Sequence, residues 1–261
     1  MIRYQIRRVA TALVCFSALA SAAEPTWVDL THPLSNESVF WPTASAFELT
    51  TDAEGMTEAG YYYSAYSFSS AEHGGTHIDA PVHFAEGRQS VDEIPLSQLM
   101  GPAVVIDVSL AADEDRDHRI SVSELTEWES THGRIPDDAI VLLRTGYSRY
   151  WPDAQAYLGT ALKGQAGVAA LHFPGLDPDA AAWLVSERSV KAVGIDTASI
   201  DYGQSKDFAS HVALMTANIP AFENVANLDR LPARGAWVIA LPLKIQGGSG
   251  GPLRIVARLP E

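Results

Sequence analysis

The chain of 261 residues carries 18 Lys and Arg against 32 Asp and Glu, for a formal net charge of −14 at pH 7, with 47% apolar residues and one cysteine. So acidic a balance argues against nucleic acid as a partner, because a polyanion is held by clustered cations. One cysteine excludes a disulfide framework, and the apolar share is ample for a single domain, with no repeat, low-complexity tract or linker to divide it.

Residues 1–8 hold Arg3, Arg7 and Arg8 and no acid; an apolar run follows over residues 9–20, and Ala20-Ser21-Ala22 supplies small residues for a cleavage site. The pattern predicts a secretory signal peptide over residues 1–22, too short in its apolar part for a membrane span. Cleavage after Ala22 or Ala23 is equally readable. The remaining domain, residues 23–261, is expected to be exported, with the periplasm as its compartment and no stable membrane insertion once the signal is gone. Removal of three arginines takes the balance to −17, and Cys15 leaves with them, which excludes a cysteine nucleophile.

Residues 27–34, Trp-Val-Asp-Leu-Thr-His-Pro-Leu, read as a short strand closed by the turn signal His32-Pro33. Trp41-Pro42 follows among few helix formers. Residues 61–68, Tyr-Tyr-Tyr-Ser-Ala-Tyr-Ser-Phe, predict an aromatic-rich strand whose rings pack in the core, some of them lining a site. Beyond residue 100 strands and helices alternate. Residues 103–108, 139–144, 190–195, 236–245 and 253–259 are apolar runs that predict strands. Ser121 and Glu124 have capping-box spacing for a helix ending near Gly133, and Asp177-Pro178 opens another with an N-cap and a first-turn proline. This mixture predicts an α/β layered domain rather than a bundle or a sandwich. The glycine-rich segment 246–252 lacks the lysine of a phosphate loop and reads as a tight connection whose backbone approaches a ligand.

Residues 71–84, Ala-Glu-His-Gly-Gly-Thr-His-Ile-Asp-Ala-Pro-Val-His-Phe, concentrate three of the eight histidines and an aspartate. Two glycines and Pro81 oppose a helix, so an extended strand, or strand and loop, is expected. In a strand the odd-numbered His73, His77, Asp79 and His83 share one face, while Thr76, Ile78, Ala80 and Val82 pack on the other. Three imidazoles and a carboxylate on one face suit a divalent ion such as Zn²⁺ or Mn²⁺. His118 and His132 read as surface residues and His172 is ambiguous. His211 stands twelve residues before Glu223, a spacing that alone carries little.

The segment from His73 to His83 resembles the H-x-G-T-H-x-D-x-P-x-H motif of the cyclase-like metal hydrolases, which include bacterial kynurenine formamidases and isatin hydrolases. Further similarity runs through residues 29–34, Trp41-Pro42, residues 143–146 and 194–199, His211, residues 219–224 and 240–244, nearly the whole mature chain. The resemblance implies a single swivelling β/β/α-type domain, a mixed sheet with packed helices, in dimers or higher homo-oligomers. It implies metal ligation by His73, His77 and Asp79, with His83 as acid and base. It implies that His211 and Glu223 complete the site, sharing a second metal with the aspartate in the formamidases, and that Trp41 lies beside the substrate. The family's Trp-Pro-Gly-Asp is here Trp41-Pro42-Thr43-Ala44, so substrate contacts from that loop differ.

The expected reaction is hydrolysis of an amide C–N bond by metal-activated water, with a histidine moving the proton and Mn²⁺ or Zn²⁺ as cofactor. The expected substrate is a small aromatic amide. Export separates the chain from cytoplasmic tryptophan breakdown, which ranks opening of isatin to isatinate ahead of arylformamide hydrolysis and of other cyclic amides or lactones. An exported metal or small-molecule binding protein is the reading from another class. It needs ligands but no spare base, whereas His83 lies beyond the last ligand on the same face.

Overall fold

The structure, a computed structural model, describes residues 25–260; the expected signal peptide, residues 1–22, lies outside the described residues. Among the described residues there are twelve strands: β1 (Trp27–Asp29), β2 (Glu48–Met56), β3 (Tyr62–Ser69), β4 (His77–Asp79), β5 (Met100–Asp107), β6 (Arg119–Ile120), β7 (Ile140–Arg144), β8 (Gly175–Leu176), β9 (Ala192–Ile195), β10 (Ala221–Glu223), β11 (Arg234–Pro242) and β12 (Gly250–Arg258). Eight form a mixed sheet in the order β1-β12-β11-β5-β7-β9-β10-β4. β5, β7, β9 and β10 run parallel, and the remaining pairings are antiparallel. β4 pairs with β12 as well as β10, so the row closes on itself and β1 hangs from β12.

Alternation along the strands builds two cores. Ile78, Val105, Leu142, Phe222, Val238 and Ile255 point into the ring, where β4 contributes only its central residue. Val104, Ile106, Val141, Leu143, Val193 and Ile195 point the other way, against the helices Val122–His132, Pro178–Arg188 and Ala209–Thr216. Each such side chain contributes about 1.5–3 kcal/mol on burial. The first of those helices starts where the capping box places it: Glu124 Oε2 accepts from Ser121 N at 2.8 Å, and Ser121 Oγ accepts from Glu124 N. It stops at Gly133, whose φ of 83° a side chain would oppose. Asp177 caps the second helix through Asp179 N, with Pro178 at its first position. The architecture is thus the single α/β domain with mixed sheet and packed helices expected from the sequence. Among the described residues no helix is long and apolar enough to cross a membrane.

The aromatic run 61–68 departs from expectation. It does form β3, but β2 and β3 pair only with each other, outside the main sheet. Tyr61, Tyr62, Tyr63, Tyr66 and Phe68 are 45–60% exposed rather than packed in the core, and none of them lines the site cavity. The physical reason is neighbour count: a two-stranded ribbon has no second layer against which to bury either face.

Candidate active site

The segment 71–84 is not one continuous strand. Residues 73–75 form a loop, His77–Asp79 form β4, and Pro81–His83 form a 3₁₀ turn with proline at its first position. Gly75 takes φ of 63°, and a Cβ on Gly74 would run into the ring of Phe40. Those two glycines let the chain swing His73 back over β4. The turn at Pro81 then returns His83 from the other end, and the two rings stack with centroids 3.8 Å apart at 18°. The four residues still converge, but through loop, strand and turn rather than pleat alternation alone.

β4 lies between β10 and β12, with Glu223 opposite His77 and Ala221 opposite Asp79. Since Ile78 and Phe222 face the ring interior, His77, Asp79 and Glu223 face the helix layer. The helix Ala209–Thr216 packs there and brings His211 onto them. His77, Asp79, His211 and Glu223 are all at most 4% exposed. Asp79 Oδ2 and Glu223 Oε1 each lie 3.1 Å from His211 Nε2, and His77 Nε2 lies 3.2 Å from Asp79 Oδ1 and 3.4 Å from Glu223 Oε2. Asp79 Oδ1 is also 2.6 Å from His73 Nδ1. The shared aspartate therefore joins two groups with metal-ligand spacing, the buried His77, Asp79 and Glu223 and the more accessible His73, Asp79 and His83.

The outward nitrogens show what this cluster is built for. His77 Nδ1–H donates to Gly75 O at 3.0 Å, and His211 Nδ1–H donates to Asp201 Oδ2 at 2.6 Å. A neutral ring held in that way turns a lone pair at Nε2 toward carboxylate oxygens, which are acceptors too. Facing acceptors require positive charge between them, supplied either by protons on the rings or by a cation. The donors fit Zn²⁺ or Mn²⁺: imidazole nitrogens and carboxylate oxygens, with second partners fixing the rings.

The electrostatics say the same. Burial of His77 opposes its charged form, yet Asp79 and Glu223 outweigh burial and raise its pKa to about 9. His211 is likewise pushed well up, against burial, by hydrogen bonds to Asp201, Asp79 and Glu223. Asp79 is held well below the carboxylate range because the surrounding histidines overcome its burial. Glu223 is pushed up by burial and by the Asp79 charge beside it. His83 is pulled down to about 4 by burial, despite the attraction of Asp79, so its ring is neutral at pH 7.

A cavity of about 320 Å³ opens over the cluster, within the range of small-molecule sites. Its apolar wall includes Val39, Phe40, Trp41, Phe84 and Phe208, and among the described residues no lysine or arginine lines it. Trp41 meets Phe208 at 6.3 Å and Phe173 edge-on at 6.4 Å, and Ala44, at the departure from Trp-Pro-Gly-Asp, also lines the space. Phe208 sits at φ 50°, uncommon for a bulky residue, immediately before the helix that carries His211.

All seven sequence-singled residues, His73, His77, Asp79, His83, His211, Glu223 and Trp41, therefore line one cavity. The other histidines stay away from it: His118 pairs with Glu124, His132 with the Trp128 carbonyl and His172 with Asp117. Sequence reasoning missed Asp201, Asn224, Phe84 and Phe208. Asp201 accepts from the backbone of Ser210 and His211 as well as from the His211 ring, so one carboxylate starts the helix and aims its histidine. Asn224 Nδ2 donates to Gly75 O, locking the glycine loop to β10. Asn224 was within reach of sequence reading, being the neighbour of Glu223; Asp201 offered no spacing signal.

The family model described as putative cyclase matches residues 28–202. The chain is 34% identical over 198 residues to an isatin hydrolase of Roseibium aggregatum, covering 73% of each chain. It is 29% identical over 239 residues to a kynurenine formamidase of Bacillus mycoides, covering 89% of this chain and 97% of that one. Its fold superposes on isatin hydrolase A from Labrenzia aggregata, solved with benzyl benzoate bound, with a TM-score of 0.82 and 37% identity over 94% of this chain and 97% of that one.

Proposed function

Because the chain belongs to the putative cyclase family, we propose that its cavity opens the cyclic amide of isatin to isatinate. The coarser statement is plain: the chain is a metal-dependent hydrolase of amide C–N bonds, acting on a small aromatic substrate. The observation that carries the finer one is the lining of the cavity, an aromatic wall facing histidines and carboxylates, with no lysine or arginine among the described residues. Isatin is flat, bicyclic and neutral, so it needs no counter-ion. N-formylkynurenine carries a zwitterionic amino-acid group that would have to be desolvated against the same apolar wall.

His73, His77 and Asp79 would hold the ion, and His211 and Glu223 would complete the site around Asp79. A bound divalent ion, Mn²⁺ or Zn²⁺, supplies the Lewis acidity that polarises a carbonyl and brings a water's pKa toward about 7. His83, neutral at pH 7, offers a lone pair at the cavity edge, takes the proton released by the attacking water and returns it to the departing amide nitrogen. Its stacking on His73 and edge contact with Phe84, at 4.5 Å, restrict the ring. Trp41 and Phe208 clasp the planar substrate and keep bulk water, other than the attacking molecule, out of the cavity.

The cationic start and apolar run of residues 1–22 support export to the periplasm. The exposed faces of β2 and β3 support a homodimer, since an isolated two-stranded ribbon is marginal in water and this one carries apolar rings for a second copy to cover. Light scattering is expected to give twice the chain mass; a monomer at micromolar concentration overturns that assignment.

The deciding experiment supplies metal-loaded protein with isatin and N-formylkynurenine side by side and follows each by absorbance. A higher kcat/KM for isatin, lost after chelation and restored by Mn²⁺ or Zn²⁺, is expected. A higher value for the formyl compound makes the chain an arylformamidase. Turnover of neither points to another cyclic amide or lactone, or to an exported binding protein.

A further inference from the structure

The glycine-rich connection before β12 ends against the site rather than at a phosphate. Ser249 Oγ lies 2.9 Å from His73 Nε2. The same serine meets Glu72 Oε2 twice, through its hydroxyl at 2.6 Å and its backbone N–H at 3.0 Å. A hydroxyl has one proton, and a carboxylate can only accept, so the serine proton is committed to Glu72. Ser249 Oγ consequently faces His73 with a lone pair, and the hydrogen between them belongs to His73 Nε2. In the neutral ring this leaves the lone pair on Nδ1, the nitrogen that faces Asp79.

The connection is held from both sides. Ala80 N donates to Ser249 O at 2.8 Å, Val91 N to Gly248 O at 2.9 Å, and Gly247 N to Asp92 Oδ1 at 2.9 Å. A Cβ on Gly250 would fall 2.7 Å from His73 Cε1, and one on Gly248 would fall 2.7 Å from Glu72 Oε1. The two glycines thus let the loop close directly on the histidine and on the glutamate before it.

We propose that Ser249 and Glu72 are positioning residues for His73, locking it in the Nε2–H tautomer so that it presents Nδ1 to the ion while His77 and His211 present Nε2. This rests on the reading of His73 as a metal ligand. A hydrogen-bonded partner on the far nitrogen raises a ligand's basicity and fixes its aim, and loss of such partners weakens metal binding about 10–100-fold.

The test measures Zn²⁺ affinity of the purified chain by competition with a fluorescent chelator, together with the imidazole nitrogen shifts of the histidine-labelled, Zn²⁺-loaded protein. Ser249→Ala is expected to weaken Zn²⁺ binding about 10–100-fold and to lose the Nε2–H signature of His73, with unchanged melting of the metal-free chain. Ser249→Thr, which keeps the hydroxyl, restores both, and Glu72→Gln weakens binding less than Ser249→Ala. If Ser249→Ala binds like the unaltered chain and keeps that signature while His73→Ala loses the metal, the positioning role is overturned and the ligand assignment stands. If His73→Ala also binds like the unaltered chain, both are overturned.

Discussion

β4 and the β2–β3 ribbon meet opposite fates. β4 has three residues, all buried, with a strand on each side; β2 and β3 have nine and eight residues, almost all exposed, with only each other as neighbours. Strand length and aromatic content therefore did not decide burial. The number of flanking strands did, because each one both satisfies backbone groups and brings a packed face. The consequence for function is that the ionisable groups sit on the shorter, better-walled strand. There the low dielectric makes their mutual interactions strong, and His77 and Asp79 each have defined partners.

Five substitutions, the last of them with a pH profile, test that contrast, beginning with the largest effect. Asp79→Ala, at the joint of both ligand groups, is expected to remove bound metal, measured by elemental analysis, and to lower kcat/KM by at least about 10³-fold, since a missing ligand abolishes both polarisation and water activation. His83→Ala is expected to keep the metal and lose about 10²–10⁴-fold in kcat. If that variant is instead purified metal-free, His83 is a ligand and the proton carrier lies elsewhere.

The next pair compares the two regions directly. Phe222→Ala, inside the ring, is expected to cost about 3–5 kcal/mol in denaturant unfolding, by transfer and cavity formation. Phe68→Ala, 58% exposed on the ribbon, is expected to change monomer stability by no more than about 0.5 kcal/mol and to act on association instead. Equal losses in the dilute monomer would mean that the ribbon belongs to the folding core.

Smaller than the Phe222→Ala loss is the effect at His32, stacked on Trp151 at 4.5 Å with its Nε2 buried and without a partner. Burial lowers its pKa from 6.5 to about 4. The folded chain thus binds this proton less readily than the unfolded chain, so the stability His32 contributes is complete above pH 6.5 and falls as pH drops toward 4. Between pH 7 and 5 the loss is on the order of 1–2 kcal/mol. His32→Phe is expected to flatten that part of the unfolding profile, and an unaltered slope would assign it to other groups.

Much of the site was legible in the chain. The spacing of His73, His77, Asp79 and His83 marked side chains that do converge on one cavity, and Ser121, Glu124, Asp177 and Pro178 marked two helix starts, because caps and residue pairs a few positions apart act locally and leave local patterns. The resemblance in sequence extended this to His211, Glu223 and Trp41. What the residues alone did not determine was longer in range. Glu223 joins His77 only because β10 docks between β9 and β4, and Asp201 reaches His211 because a loop folds back onto the start of a helix. Ser249 closes on His73 across 176 positions of sequence. The aromatic run 61–68 was read correctly as a strand and wrongly as core, since a strand's conformation follows from its own side chains whereas its burial depends on which other strands and helices stand beside it.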